Sequence, residues 1–106
     1  MPDSRYVPVV AADAIADKSF ECFDAEGRSV VICRFRDEYY ALENRCSHAL
    51  ATFDDGRMRG PRLMCPLHGA SFDIRDGSCK GPPATQPIAS FQTRIADGMV
   101  EVLFEE

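Results

Sequence analysis

The sequence predicts an all-β fold, and three observations carry that prediction. Short apolar or alternating segments follow one another along the chain with turn residues between them. The C-terminal stretch alternates on both sides of Asp97-Gly98, a two-residue hairpin signal. No repeat, low-complexity tract or interdomain linker interrupts the pattern, so the 106 residues read as one domain, 1–106.

Taken in order, residues 6–10 read as a first strand and 11–18 as a short helical turn. Residues 20–24, 29–36 and 39–43 form a meander with turns at Glu26-Gly27 and Asp37-Glu38. Val31, Cys33 and Phe35 share one face of its central strand, since side chains alternate with period two. Residues 81–87, Gly-Pro-Pro-Ala-Thr-Gln-Pro, hold too much proline for a central strand. Near the C-terminus Phe91, Thr93 and Ile95 alternate with Gln92 and Arg94, and Val100, Val102 and Phe104 with Glu101 and Glu105. Folding about Asp97-Gly98 sets Ile95 opposite Val100, Thr93 opposite Val102 and Phe91 opposite Phe104, all on one face.

A hydrophobic fraction of 45% and a charged fraction of 27% are ordinary for a soluble globular protein. Twelve basic against seventeen acidic residues give a net charge of −5, which argues against nucleic acid or an anionic membrane as partner. Mild acidity suits brief docking on basic patches of other proteins, and solubility alone accounts for it equally well. The first residues have no apolar core of signal-peptide length and no later run approaches a membrane span, so the cytoplasm is the expected compartment. Five cysteines in such a compartment do not suggest a disulfide framework. Cys22, Cys33 and Cys79 read as reduced thiols, the first two on strands and Cys79 in a loop.

Both histidines of the chain closely follow a cysteine, in Cys46-Ser47-His48 and in Cys65-Pro66-Leu67-His68-Gly69. Cys46 comes after strand 39–43 and Cys65 after Leu63-Met64, so each pair occupies a loop at a strand end. Gly69 permits tight backbone approach there. Two cysteines with two histidines are also a zinc set, but structural zinc sites usually pair like with like, Cys with Cys and His with His. Here each loop supplies one of each. If each loop sends its Cys and its His to different irons, both straddle a dinuclear centre, as in a 2Fe–2S cluster with mixed ligands. A domain this small buries only about 65% of the surface its unfolded chain exposes, so a cluster bonded to two loops would add to its stability.

Cys46-x-His48 followed, after residues 49–64, by Cys65-x-x-His68-Gly69 resembles the Rieske 2Fe–2S motif, and the likeness runs from about residue 39 through the Asp97-Gly98 hairpin. The resemblance implies a Rieske fold of antiparallel sheets. It also implies a cluster-binding subdomain, about residues 44–87, made of two ligand loops and the proline-containing loop as a lid. By the same resemblance Cys46 and Cys65 bind the inner iron, and His48 and His68 the outer iron nearer the surface. Exchanging two thiolates for neutral imidazoles leaves the oxidised cluster formally neutral. Rieske potentials accordingly run from about −150 to +300 mV, against about −400 mV for plant-type clusters.

Neighbours of the ligands separate the subfamilies. Respiratory-type Rieske proteins carry a second cysteine in each loop and join them by a disulfide. Those positions are Ala51 and Leu67 here. Ala70 stands where that type has a serine beside the cluster, and Phe72 where it has a tyrosine. Missing hydroxyl donors imply a potential near about −150 mV. A low-potential Rieske protein of this size resembles the ferredoxin component of multicomponent aromatic-ring-hydroxylating oxygenases. The implied role is that of an electron carrier and not an enzyme, taking electrons from an NAD(P)H-dependent flavoprotein reductase to a terminal oxygenase through transient contacts, as a monomer. No histidine is left for a mononuclear iron site. Ala49, Leu50, Pro66, Leu67, Pro82 and Pro83 are candidates for the docking rim. A small Rieske subunit of an assimilatory nitrite reductase is the alternative, and a zinc-stabilised interaction module a remote one.

Overall fold

The computed structural model describes residues 5–46, 52–66, 70–81 and 86–104. Among these, eleven strands and a three-residue 3₁₀ turn at Ala12–Ala14 make up the regular structure. The first sheet holds β1 (Arg5–Ala11), β11 (Met99–Phe104) and β10 (Thr93–Ala96), in that order. A second sheet orders β2 (Ser19–Ala25), β3 (Arg28–Phe35), β4 (Glu38–Glu43) and β9 (Ser90–Phe91). A third, of short strands, orders β5 (Arg57–Arg59), β6 (Arg62–Met64), β7 (Ser71–Asp73) and β8 (Cys79–Gly81). Every pairing is antiparallel.

The second sheet lies between two apolar cores, and β3 shows why. Its run Val30-Val31-Ile32-Cys33 is wholly buried. Val30 and Ile32 enter one core with Val100, Val102 and Ile15, whereas Val31 and Cys33 enter the other with Leu63, Phe53 and Phe72. A strand covered on both faces reads as a continuous apolar run instead of an alternation. The partners of Val31 and Cys33 include Phe35, as the period-two pattern predicts.

Turn chemistry sets the register. Glu26-Gly27 and Asp97-Gly98 have positive φ at both residues, the two-residue geometry that matches strand twist. The β3–β4 turn falls one residue earlier than expected, at Arg36-Asp37, with φ of 54° and 62°. Neither residue is glycine. The turn is held from outside, because the Arg36 N–H donates to Asp17 Oδ1 at 2.8 Å and Arg34 Nη2 donates to Asp37 Oδ1 at 2.9 Å.

The C-terminal hairpin pairs Ile95 with Val100 and Thr93 with Val102 as expected. Two details differ. Phe91 pairs through its backbone with Ala41 of the second sheet, so the chain changes sheets at Gln92 while the Phe91 ring still meets Phe104 edge-on at 5.4 Å. Ile95 is half exposed, since β10 is an edge strand and Ile95 lines an open hollow with Tyr39, Tyr40 and Arg94. Cys79, expected in a loop, lies on β8 and packs against the second core.

Candidate metal centre

Cys46 and Cys65 are almost wholly buried, at 1% and 3% exposure, in the same apolar cluster. None of the five cysteines is joined in a disulfide. His48 and His68 lie outside the described residues, as do Ala49, Leu50, Ala51, Leu67, and Pro82 and Pro83 of the expected lid. Of the expected docking rim Pro66 is described, and it is exposed.

Hydrogen bonds close the feet of all three loops. At the first, Asn44 follows β4 and is buried. Its backbone N–H donates to Ser29 O at 3.0 Å and its Nδ2 to Ser29 Oγ at 3.1 Å. Its Oδ1 accepts the Phe53 N–H at 2.7 Å, which joins the two ends of the loop carrying Cys46 and His48. At the second, the Cys65 N–H donates to Ala70 O at 2.7 Å across the segment carrying His68. At the third, the Ile88 N–H donates to Gly77 O at 2.9 Å, bracketing the proline-rich stretch. Glu43 ties the first foot to the third, donating its N–H to Ala89 O at 2.9 Å and accepting the Ala89 N–H on Oε1 at 2.7 Å.

Apolar contacts seal these feet from below. Phe53, at the end of the first loop, stands edge-on to Phe72 of β7 with ring centroids 5.8 Å apart, and both rings are fully buried. Ala70 is fully buried beside them. Sequence reasoning named Ala70 and Phe72 but missed Asn44 and Phe53. The only hint for Asn44 was a polar residue between a strand and a ligand candidate.

The sequence profile of the Rieske [2Fe-2S] domain matches residues 5–92. The chain belongs to this family. It is 34% identical over 99 residues to the anthranilate 1,2-dioxygenase ferredoxin subunit of Burkholderia cepacia, covering 93% of this chain and 92% of the relative. The ferredoxin of carbazole 1,9a-dioxygenase from Nocardioides aromaticivorans IC177 superposes with a TM-score of 0.87 at 30% identity, covering 92% of this chain and 95% of that one. The complex of reduced oxygenase and oxidized ferredoxin in carbazole 1,9a-dioxygenase contains a chain with a TM-score of 0.86 at 28% identity, covering 92% of this chain and 91% of that one.

A Rieske domain has one 2Fe–2S cluster with Cys and His ligands as its cofactor. The donors described here fit that group: two buried thiols sit at the feet of two loops whose remaining residues include both histidines. When bound, the cluster supplies one-electron redox chemistry. This Rieske protein is an electron carrier and not a catalytic oxygenase. Cys22 and Cys33 are poorly suited to ligation. Burial pushes Cys22 up to about 12, helped by its hydrogen bond with Asp54, and burial pushes Cys33 up to about 12 as well. Both stay protonated at neutral pH, and the thiolate is the metal-binding form.

Proposed function

We propose that Cys46 and Cys65 hold one iron of the cluster and His48 and His68 the other, with residues 44–87 as the cluster-binding subdomain of a single domain, 1–106. The observation that carries this reading is the burial of both thiols in one core at the feet of two hydrogen-bonded loops. The chain's own part is to keep both thiols dry and to fix where each loop begins and ends. Rigid feet matter because an electron carrier must change charge without reorganising its ligands.

In this reading the protein is a cytoplasmic monomer that takes single electrons from an NAD(P)H-dependent flavoprotein reductase and delivers them to a terminal aromatic-ring-hydroxylating oxygenase. The ferredoxin relatives, and a ferredoxin caught with its oxygenase, support the delivery step. Ala70 and Phe72 offer the cluster no side-chain hydroxyl, which supports a potential at the negative end of the Rieske range, near about −150 mV. Among the described residues no helix is long and apolar enough to cross a membrane.

Reconstitution with the reductase and oxygenase of the producing organism tests the proposal. Product should form only when all three proteins are present, and Cys46→Ser, Cys65→Ser, His48→Ala and His68→Ala should each abolish the Rieske electron spin resonance signal. Full signal in any of these four variants would remove that residue from the ligand set. A stoichiometric complex with the reductase that survives gel filtration would contradict a transient carrier.

A further inference from the structure

Charge is unevenly placed in this chain. Residues 44–87 hold half of the twelve basic residues and only Asp54, Asp55, Asp73 and Asp76 of the seventeen acidic ones. The cluster-bearing end is therefore positive in a protein whose formal net charge is −5. The β5–β6 hairpin concentrates that charge. Met58 pairs with Leu63 and both pack on the core, so this face of the hairpin points inward. The opposite face carries Arg57 across from Met64 and Arg59 directly across from Arg62, with all three arginines exposed.

Like charges directly opposite each other weaken a sheet. Elsewhere Arg34, Arg75 and Arg94 each bind a carboxylate. Among the described residues Arg57, Arg59 and Arg62 form no ion pair, and Asp73, the β7 residue opposite Arg62, is already bound by Arg75. A groove of about 270 Å³ continues this face to the buried ligand candidate, lined by Asp55, Arg57, Arg59, Met64, Cys65 and Pro66. One carboxylate, that of Asp55, shares the groove with two of the three guanidinium groups.

We propose that Arg57, Arg59 and Arg62 form a positive docking face beside Cys65 that receives an acidic surface patch of a protein redox partner. The inference rests on the electron-carrier reading above and reverses the simple expectation that an acidic protein docks on basic patches. Facing arginines that cost the hairpin stability become favourable once carboxylates from a partner lie over them. Such a face speeds encounter and orients the cluster end first, while leaving the complex short-lived.

Stopped-flow kinetics on the reduced holoprotein test it. One electron passes from the protein to anionic tris(oxalato)cobaltate(III), giving cobalt(II). The wild-type rate should fall as salt rises, because the face attracts the anion despite the net charge. At low salt Arg59→Gln/Arg62→Gln should react at least about threefold more slowly, and Lys18→Gln/Arg36→Gln, which removes the same charge elsewhere, should slow it less. With the host reductase and oxygenase, at least one rate constant should fall about tenfold in Arg59→Gln/Arg62→Gln and lose most of its salt dependence. The melting temperature of that variant should equal or exceed that of wild type, which separates lost docking from lost folding. Equal slowing by the two double variants, or unchanged rates with both proteins, would overturn the docking face. A wild type that exchanges electrons with neither protein overturns the carrier reading, and the partner with it.

Discussion

The Asn44 side chain makes two hydrogen bonds that a hydrophobic residue could not make, and the Phe53 N–H depends on one of them. Asn44→Ala leaves that buried donor unpaired. A loss of about 1–3 kcal/mol is expected in urea denaturation, with faster loss of cluster absorbance on standing. Two buried neighbours, Ala70 and Phe72, bear on redox tuning. A hydrogen bond to a charged group is worth about 1.5–3 kcal/mol, so Ala70→Ser and Phe72→Tyr should each raise the potential by about 60–130 mV if the new hydroxyl reaches the cluster or its ligands. Protein-film voltammetry reads this directly, and wild type should lie below zero. Asp73 sets an acid limit. Its carboxyl is held below the usual range, chiefly by the side-chain bonds from Arg75 at 2.6 and 2.9 Å. A depressed folded-state value means stability that is full above the unfolded value, about 3.9, and lost as pH falls through the folded one. The melting-temperature gap between wild type and Asp73→Asn should therefore be constant above about pH 5 and close below about pH 4. The ligand candidates were legible because both histidines of the chain follow a cysteine closely. Asn44 and Phe53 were not, because their bond joins residues whose proximity only the folded loop creates.

At the scale of elements, glycines show where loops press on the scaffold. Gly77 has φ of +77°, and a Cβ there would collide with the carbonyl oxygen of Ile88. Gly98 has nearly the same φ, +76°, but open space around it. Gly98→Ala should cost about 1–2 kcal/mol from backbone conformation alone. Gly77→Ala should cost clearly more in the same denaturation assay, because it also pushes Ile88 away from the foot of the third loop. The hairpins and the meander were readable from alternation and turn residues. The strands β5, β7 and β8 were not, since three residues are too few to display a period. The early turn at Arg36-Asp37 escaped for another reason: Asp17, far away in sequence, stabilises it.

The whole molecule consists of two cores on either side of one sheet, and only one of them contains the proposed ligand thiols, Cys46 and Cys65. Stripping the iron with a chelator should loosen them unequally. Backbone amides of β6 and β7 should exchange with solvent about tenfold faster or more, while Val100 and Val102 in the other core keep their protection. Uniform acceleration across both cores would show that the protein unfolds as one unit without its cluster.

From the sequence alone came the all-β class, the two Cys/His pairs and the family they mark. Turn residues, alternation and ligand spacing are local properties, and a short stretch of chain suffices to express them. Tertiary structure decided which residues close the loop feet, that β3 divides the interior in two, and that Phe91 leaves the hairpin for the middle sheet. It also decided that three arginines of a net acidic chain, Arg57, Arg59 and Arg62, share one exposed face beside Cys65. The two cores and the sheet change at Phe91 depend on segments distant in sequence meeting across a sheet or a core, and the arginine face on a hairpin whose strands are too short to show a period.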